Sequence, residues 1–206
     1  WTTAAPGEPG GDSWKGEAYK TGGAPTWLTG SYDPELDLVY WGVGNGGPWN
    51  AAARGGDSLY IGSVLAIRPS TGEIVWHYQF SPGDPYDYDG VNELVLGELP
   101  INGVNTKTLM QANRNGFFYV LDRTNGKLLA ANPYVKVNWA DKIDLATGRP
   151  VESAQTKSIR NGGDEMIFPS VLGGKNWTPM SWNPATGLAY ANTLNLAWPY
   201  QIAKIG

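Results

Sequence analysis

Cysteine is absent from the 206 residues, so no disulfide framework shapes the chain and the redox compartment leaves no mark on it. Charged residues make up only 17% and the net charge is −4, which argues against a nucleic-acid partner. No apolar run approaches the roughly 20 residues that a membrane-spanning helix needs. An amphipathic helix of convincing length is also missing, as is a charged-then-apolar leader. The chain opens on Trp1, an opening that suggests a processed or excised piece. What is abundant is Gly (28), Pro (15), Trp (10) and Tyr (11), with 41% hydrophobic residues, enough for a core. Many tight turns between short strands rich in flat side chains fit that profile.

A repeated unit supports this reading. Ala66 to Trp76 carries Pro69-Ser70-Thr71-Gly72 between two apolar runs. The same grammar returns at Asp122-Arg123-Thr124-Asn125-Gly126 and at Asn183-Pro184-Ala185-Thr186-Gly187. Weaker copies run from Ser31 to Tyr40 and from Lys142 to Gly148. Asp, Asn or Pro opens each turn, and a closing Gly permits positive φ. Gly72, Gly126 and Gly187 lie 54 and 61 residues apart, a spacing that stretched four-stranded propeller blades produce. The expected fold is all-β, an arc of about four blades of a larger β-propeller, as one incomplete domain over residues 1–206. Residues 1–20 and 151–163 read as blade-to-blade loops. Trp76 and Trp182 read as packing between blades, and the single histidine, His77, as a strand residue.

The acidic stretch Asp84-Pro85-Tyr86-Asp87-Tyr88-Asp89-Gly90-Val91-Asn92-Glu93 is the candidate centre of the chemistry. If it is extended, Asp87 and Asp89 leave the same face and aim at one point. Two adjacent carboxylates repel unless a cation lies between them or one holds a proton. A hard metal ion suits that arrangement, with one carboxylate doubling as a base. Taken alone, the stretch also reads as a solvated acidic turn.

Five motifs in order place the stretch in a wider pattern. They are Thr26-Trp27, Gly42 to Asn50, Asp87 to Glu93, Asn113-Arg114-Asn115-Gly116 and Gly174-Lys175-Asn176-Trp177. The series resembles the pyrroloquinoline-quinone (PQQ)-dependent alcohol dehydrogenases, the methanol and ethanol quinoproteins. The resemblance covers essentially the whole chain and implies a central segment of an eight-bladed propeller. It implies oxidation of primary alcohols to aldehydes by hydride transfer to metal-bound PQQ. The enzyme would be periplasmic, pass electrons to a c-type cytochrome, and could form a homodimer. A non-enzymatic envelope scaffold and a PQQ-dependent sugar or polyol dehydrogenase remain as alternatives.

Carried over residue by residue, the resemblance makes Asp87 the catalytic base and Arg114 the cation that contacts both Asp87 and the cofactor. Trp27 would stack under the flat quinone beside Thr26, while Asn176 would contact its edge and Trp177 would line the same wall. Asn45 and Asp87 would ligate the metal. Asp89 matches the additional aspartate of the lanthanide-dependent branch, so a lanthanide ion is expected, with Ca²⁺ as the alternative. A trivalent ion favours the extra negative oxygen ligand. Pro25 departs from the pattern by standing where the family has threonine. The family's vicinal cysteine pair and glutamate ligand have no counterpart among these residues, so the segment alone is expected to bind metal and quinone poorly.

Overall fold

A computed structural model describes residues 2–202; Trp1, the first residue of the segment read as the opening linker, lies outside them. Two complete four-stranded sheets form its centre, each with strands paired antiparallel in chain order. The first contains β1 (Ser31–Asp33), β2 (Leu38–Gly42), β3 (Ser63–Ile67) and β4 (Ile74–Gln79). The second contains β5 (Val95–Ile101), β6 (Val104–Ala112), β7 (Phe117–Asp122) and β8 (Leu128–Pro133). Of the expected arc, these are the blades complete among the described residues. The remainder consists of two-stranded pairs: β9 (Ala140–Ile143) with β10 (Pro150–Glu152), β11 (Glu165–Ile167) with β14 (Trp198–Tyr200), and β12 (Ser181–Asn183) with β13 (Leu188–Tyr190).

The repeated turns share one geometry. The N–H groups of Gly72, Gly126, Gly148 and Gly187 donate to the carbonyls of Arg68, Asp122, Asp144 and Asn183, four residues back. All four glycines have φ between 70° and 77°, a region that a Cβ makes costly. The opening Asp or Asn caps the turn with its own side chain, as Asp122 Oδ1 does for the Thr124 N–H at 2.9 Å. In the weak first copy, Asp33 supplies that cap and Asp37 takes the positive φ of 50°.

Tryptophan then docks one blade on the next. Trp76 of β4 is buried, donates Nε1–H to the Arg123 carbonyl at 3.2 Å, and lies against Gly126 in the turn of the second blade. Tyr78 repeats the contact one blade on, its hydroxyl donating to the Gly148 carbonyl at 2.7 Å. Trp182 packs partly buried against Met110, Ala112, Val120 and Met180. His77 is the expected strand residue in β4, opposite Leu65 and edge-on to Tyr60. A Cβ built on Gly126 would sit 2.6 Å from the Trp76 ring. Gly126→Ala is therefore expected to lower stability by about 2–3 kcal/mol through backbone strain and displaced packing, read as a fall in Tm.

Two short α-helices interrupt the connections between strands. α1 (Ala51–Arg54) is capped by Asn50 Oδ1, which accepts the Ala52 N–H. α2 (Ala154–Arg160) lies inside the segment read as a linker, where Ser153 caps it and Thr156 and Ile159 face inward. Seven residues offer barely two turns, too few for a periodic apolar stripe to stand out in the sequence. No helix among the described residues is long and apolar enough to cross a membrane.

Candidate active site

The acidic stretch follows β4 and is irregular, so strand alternation does not align its carboxylates. A local turn does so instead. The buried Asp84 accepts the N–H of Tyr86 at 2.9 Å and of Tyr88 at 2.7 Å, folding the chain around its own side chain. Asp87, between those two tyrosines, is driven to φ 67°, a strained conformation for a residue with a Cβ. Tyr86 and Tyr88 bury their rings beside Trp139, and their hydroxyls bond Thr156 and the Pro169 carbonyl. The rings thus anchor the loop in the core, leaving the Asp87 carboxylate half-buried and directed at a cleft.

Arg114 brings the two aspartates together. It lies in the turn between β6 and β7, and its guanidinium donates to Asp89 Oδ2 at 2.5 Å and to Asp87 Oδ2 at 3.2 Å. Two further bonds, at 2.6 and 3.1 Å, fix it to the Val171 carbonyl. Asp89 Oδ1 meanwhile accepts the backbone N–H of Asn45 at 2.7 Å. A Cβ on Gly44 would collide with this oxygen at 2.6 Å, so glycine there allows the close approach.

The electrostatics follow from this crowding. Burial, with the charges of Asp89 and Asp84 nearby, pushes the Asp87 carboxyl up to about 7 against the opposing pull of Arg114. Burial also raises Asp89, although Arg114, the Asn45 N–H and the Trp27 indole favour its ionised form. A cation added here would relieve the carboxylate repulsion and hold Asp87 ionised at neutral pH.

Asn45 and Asp87 line the same open cleft of about 350 Å³, with Gly23, Pro25, Gly46, Gly47 and Trp49. Asn45, Asp87, Asp89 and Arg114 are therefore gathered in one place. Among the described residues no group of three or more His, Cys, Asp or Glu side chains forms a ready cage for a metal. The oxygen donors are instead two carboxylates and one amide, a hard set suited to Ca²⁺ or a lanthanide. Each carboxylate has about four lone-pair positions, so the bonds already made leave Asp89 acceptor capacity.

Trp27 hydrogen-bonds Asp89 and is 46% exposed, presenting a flat apolar surface beside the carboxylates. Thr26 is exposed next to it. Asn176 donates to the Leu172 carbonyl at 3.0 Å and accepts the Trp177 N–H at 2.8 Å. Its loop thus joins the Val171 segment that Arg114 holds. Trp177 is 58% exposed and does not line the cleft.

Three contributors had little sequence signal. Arg54, the sole cation between Lys20 and Arg68, is fully buried. Asp84 resembled a turn residue. Lys175 is also fully buried, donating to Glu93 at 2.9 Å and to the Asn176 carbonyl at 3.1 Å. Glu93 accepts the Met180 N–H as well, so this pair ties the acidic loop to the segment bearing Asn176. Asn92 anchors the same loop to β6 through the Ala112 carbonyl.

Blades docked by tryptophan and a charged centre built from their loops define a β-propeller with a polar site on one face. Residues 1–141 match the family described as the glucose/ethanol/alcohol dehydrogenase β-propeller domain. The chain is 53% identical over 183 residues to the quinohemoprotein alcohol dehydrogenase ADH IIB of Pseudomonas putida, covering 86% of the chain and 26% of that protein. It is 45% identical over 197 residues to the lanthanide-dependent methanol dehydrogenase of Methylacidiphilum fumariolicum strain SolV, covering 95% and 32%. A europium-containing methanol dehydrogenase superposes with a TM-score of 0.88 at 43% identity, over 95% of this chain and 34% of the other. The chain belongs to the PQQ-dependent alcohol dehydrogenase family, and it spans about a quarter to a third of the length of these relatives.

Proposed function

We propose that the full-length protein oxidises primary alcohols to aldehydes at this site, using PQQ and a metal ion, with a lanthanide preferred over Ca²⁺. The observation that carries the reading is the convergence of Asp87 and Asp89 on Arg114, beside the cleft that Asn45 and Asp87 line. A scaffold would gain nothing from burying two carboxylates side by side, where Asp89 raises the proton affinity of Asp87. When bound, the quinone accepts hydride and the cation acts as a Lewis acid.

This chain's residues would supply the rest. Asp87 would accept the alcohol hydroxyl proton, becoming an effective base once a cation holds it ionised. Arg114 would keep Asp87 oriented and place fixed positive charge where negative charge develops on oxygen. Asn45, Asp87 and Asp89 would ligate the metal. Trp27, with Thr26 beside it, would form the stacking floor, and Asn176 would meet the cofactor edge, with Trp177 on the same wall. Electrons would leave to a c-type cytochrome in the periplasm, a reading supported by the resemblance and by relatives named quinohemoproteins.

Asp89→Ala in the full-length protein is expected to weaken lanthanide-stimulated turnover at least about tenfold while sparing Ca²⁺-supported turnover. Dye-linked assays with each metal, PQQ and a primary alcohol read this directly. An unchanged lanthanide-stimulated rate would remove the extra-ligand assignment.

A further inference from the structure

The Asn45 loop and the Asp87 loop belong to different parts of the chain, yet both must present oxygens to one cation. Neither loop is a strand, and the Asn45 loop has only the isolated bridge between Gly47 and Gly23. Beside the bond from the Asn45 N–H to Asp89, a second side chain joins them. Arg54 at the end of α1 is fully buried. Its NH1 donates to the carbonyls of Pro48 at 2.5 Å, Trp49 at 2.9 Å and Gly46 at 3.2 Å. Its NH2 donates to the backbone carbonyl of Asp84 at 2.5 Å. The first three carbonyls close the loop that begins at Asn45; the fourth opens the turn that carries Asp87 and Asp89.

The surroundings show how closely this guanidinium is fitted. A Cβ on Gly46 would stand 2.5 Å from Arg54 Nε, so glycine there leaves the space that the arginine fills. Nε itself is buried with no hydrogen-bond partner, and burying a charge on neutral carbonyls is unfavourable in general. The Asp84 carboxylate offsets part of that cost. Stability alone is poorly served by such an arrangement, because an apolar side chain would fill the space without an orphaned donor. Spacing two loops is well served by it. A planar fork reaches several carbonyls at fixed angles, which a lysine ammonium cannot reproduce.

We infer that Arg54 is a positioning residue, which sets the separation between Asn45 on one side and Asp87 and Asp89 on the other, and so tunes the affinity of the cation site. This rests on the proposed metal site, and the test separates the two. Terbium(III) alone is titrated into the full-length apo-protein, following tryptophan-sensitised luminescence well below Tm. Wild type, Arg54→Lys and Arg54→Met are compared, with Tm measured for each. The expected result is terbium affinity 10–100-fold weaker in both variants, with lysine failing to restore it even where it restores Tm.

Wild-type affinity in a folded Arg54→Met protein would overturn the inference. So would recovery of affinity with lysine, which would show that charge alone matters. If neither variant folds, Arg54 serves the blade and not the site, and the inference is likewise overturned. Failure of the wild type to bind terbium would instead count against the metal site itself.

Discussion

Asp87→Asn in the full-length protein is expected to cut turnover by about 10²–10⁴-fold while leaving Tm within a degree or two. The amide keeps the size and shape of the carboxylate and can still meet Arg114 through its oxygen. It cannot take a proton from an alcohol. The carboxyl stands at about 7 because burial and two neighbouring aspartates oppose Arg114, so removing its charge should not destabilise the loop. A fall in kcat at saturating metal, with an unchanged melting curve, would mark Asp87 as the base. Turnover close to wild type would transfer that role elsewhere.

Arg123→Ala should have the largest effect on stability, about 3–5 kcal/mol. The side chain is buried and crosses between the blades, donating to Asp33 Oδ2 at 2.6 Å and to the Gly97 carbonyl at 2.6 Å. Its loss leaves the buried Asp33 carboxylate without a counter-charge. Burial alone would raise that carboxyl, but hydrogen bonds from Arg123 and from the Leu36 and Glu35 N–H groups, with the charge of Arg123, hold it below the usual range. A lowered carboxyl contributes stability above its unfolded-state pKa, and that contribution disappears as pH falls through the folded value. The penalty of Arg123→Ala should therefore be full at neutral pH and shrink below about pH 4. Adding Asp33→Asn should recover part of the lost Tm at pH 7, since Asn retains the oxygen that caps the turn. Calorimetry of the two variants at both pH values checks this; a penalty independent of pH would mean that Arg123 acts by packing alone.

The blade grammar was legible because it depends on local chemistry. An Asp or Asn capping its own turn and a glycine at positive φ are preferences that a short sequence window contains. The packing role of Trp76 was legible for the same reason, although its seat on Gly126 was not. The gathering of Asn45, Asp87, Asp89 and Arg114 was legible only through the ordered motifs. The route by which the two aspartates converge was not. Extended alternation was the expected cause, whereas Asp84 and a left-handed Asp87 produce it. Arg54 was less visible still, because its partners are backbone carbonyls and a carbonyl has no residue identity to read. Lys175 was hidden for a different reason: its partner, Glu93, lies 82 residues away in the sequence.

The most direct test of the site is a crystal structure of the full-length protein grown with PQQ and a lanthanide. The ion should lie about 2.3–2.6 Å from oxygens of Asn45, Asp87 and Asp89, with Arg114 still bonded to Asp87. An ion bound away from these three residues, or Asp89 engaged by Arg114 and the Asn45 N–H alone, would contradict the account.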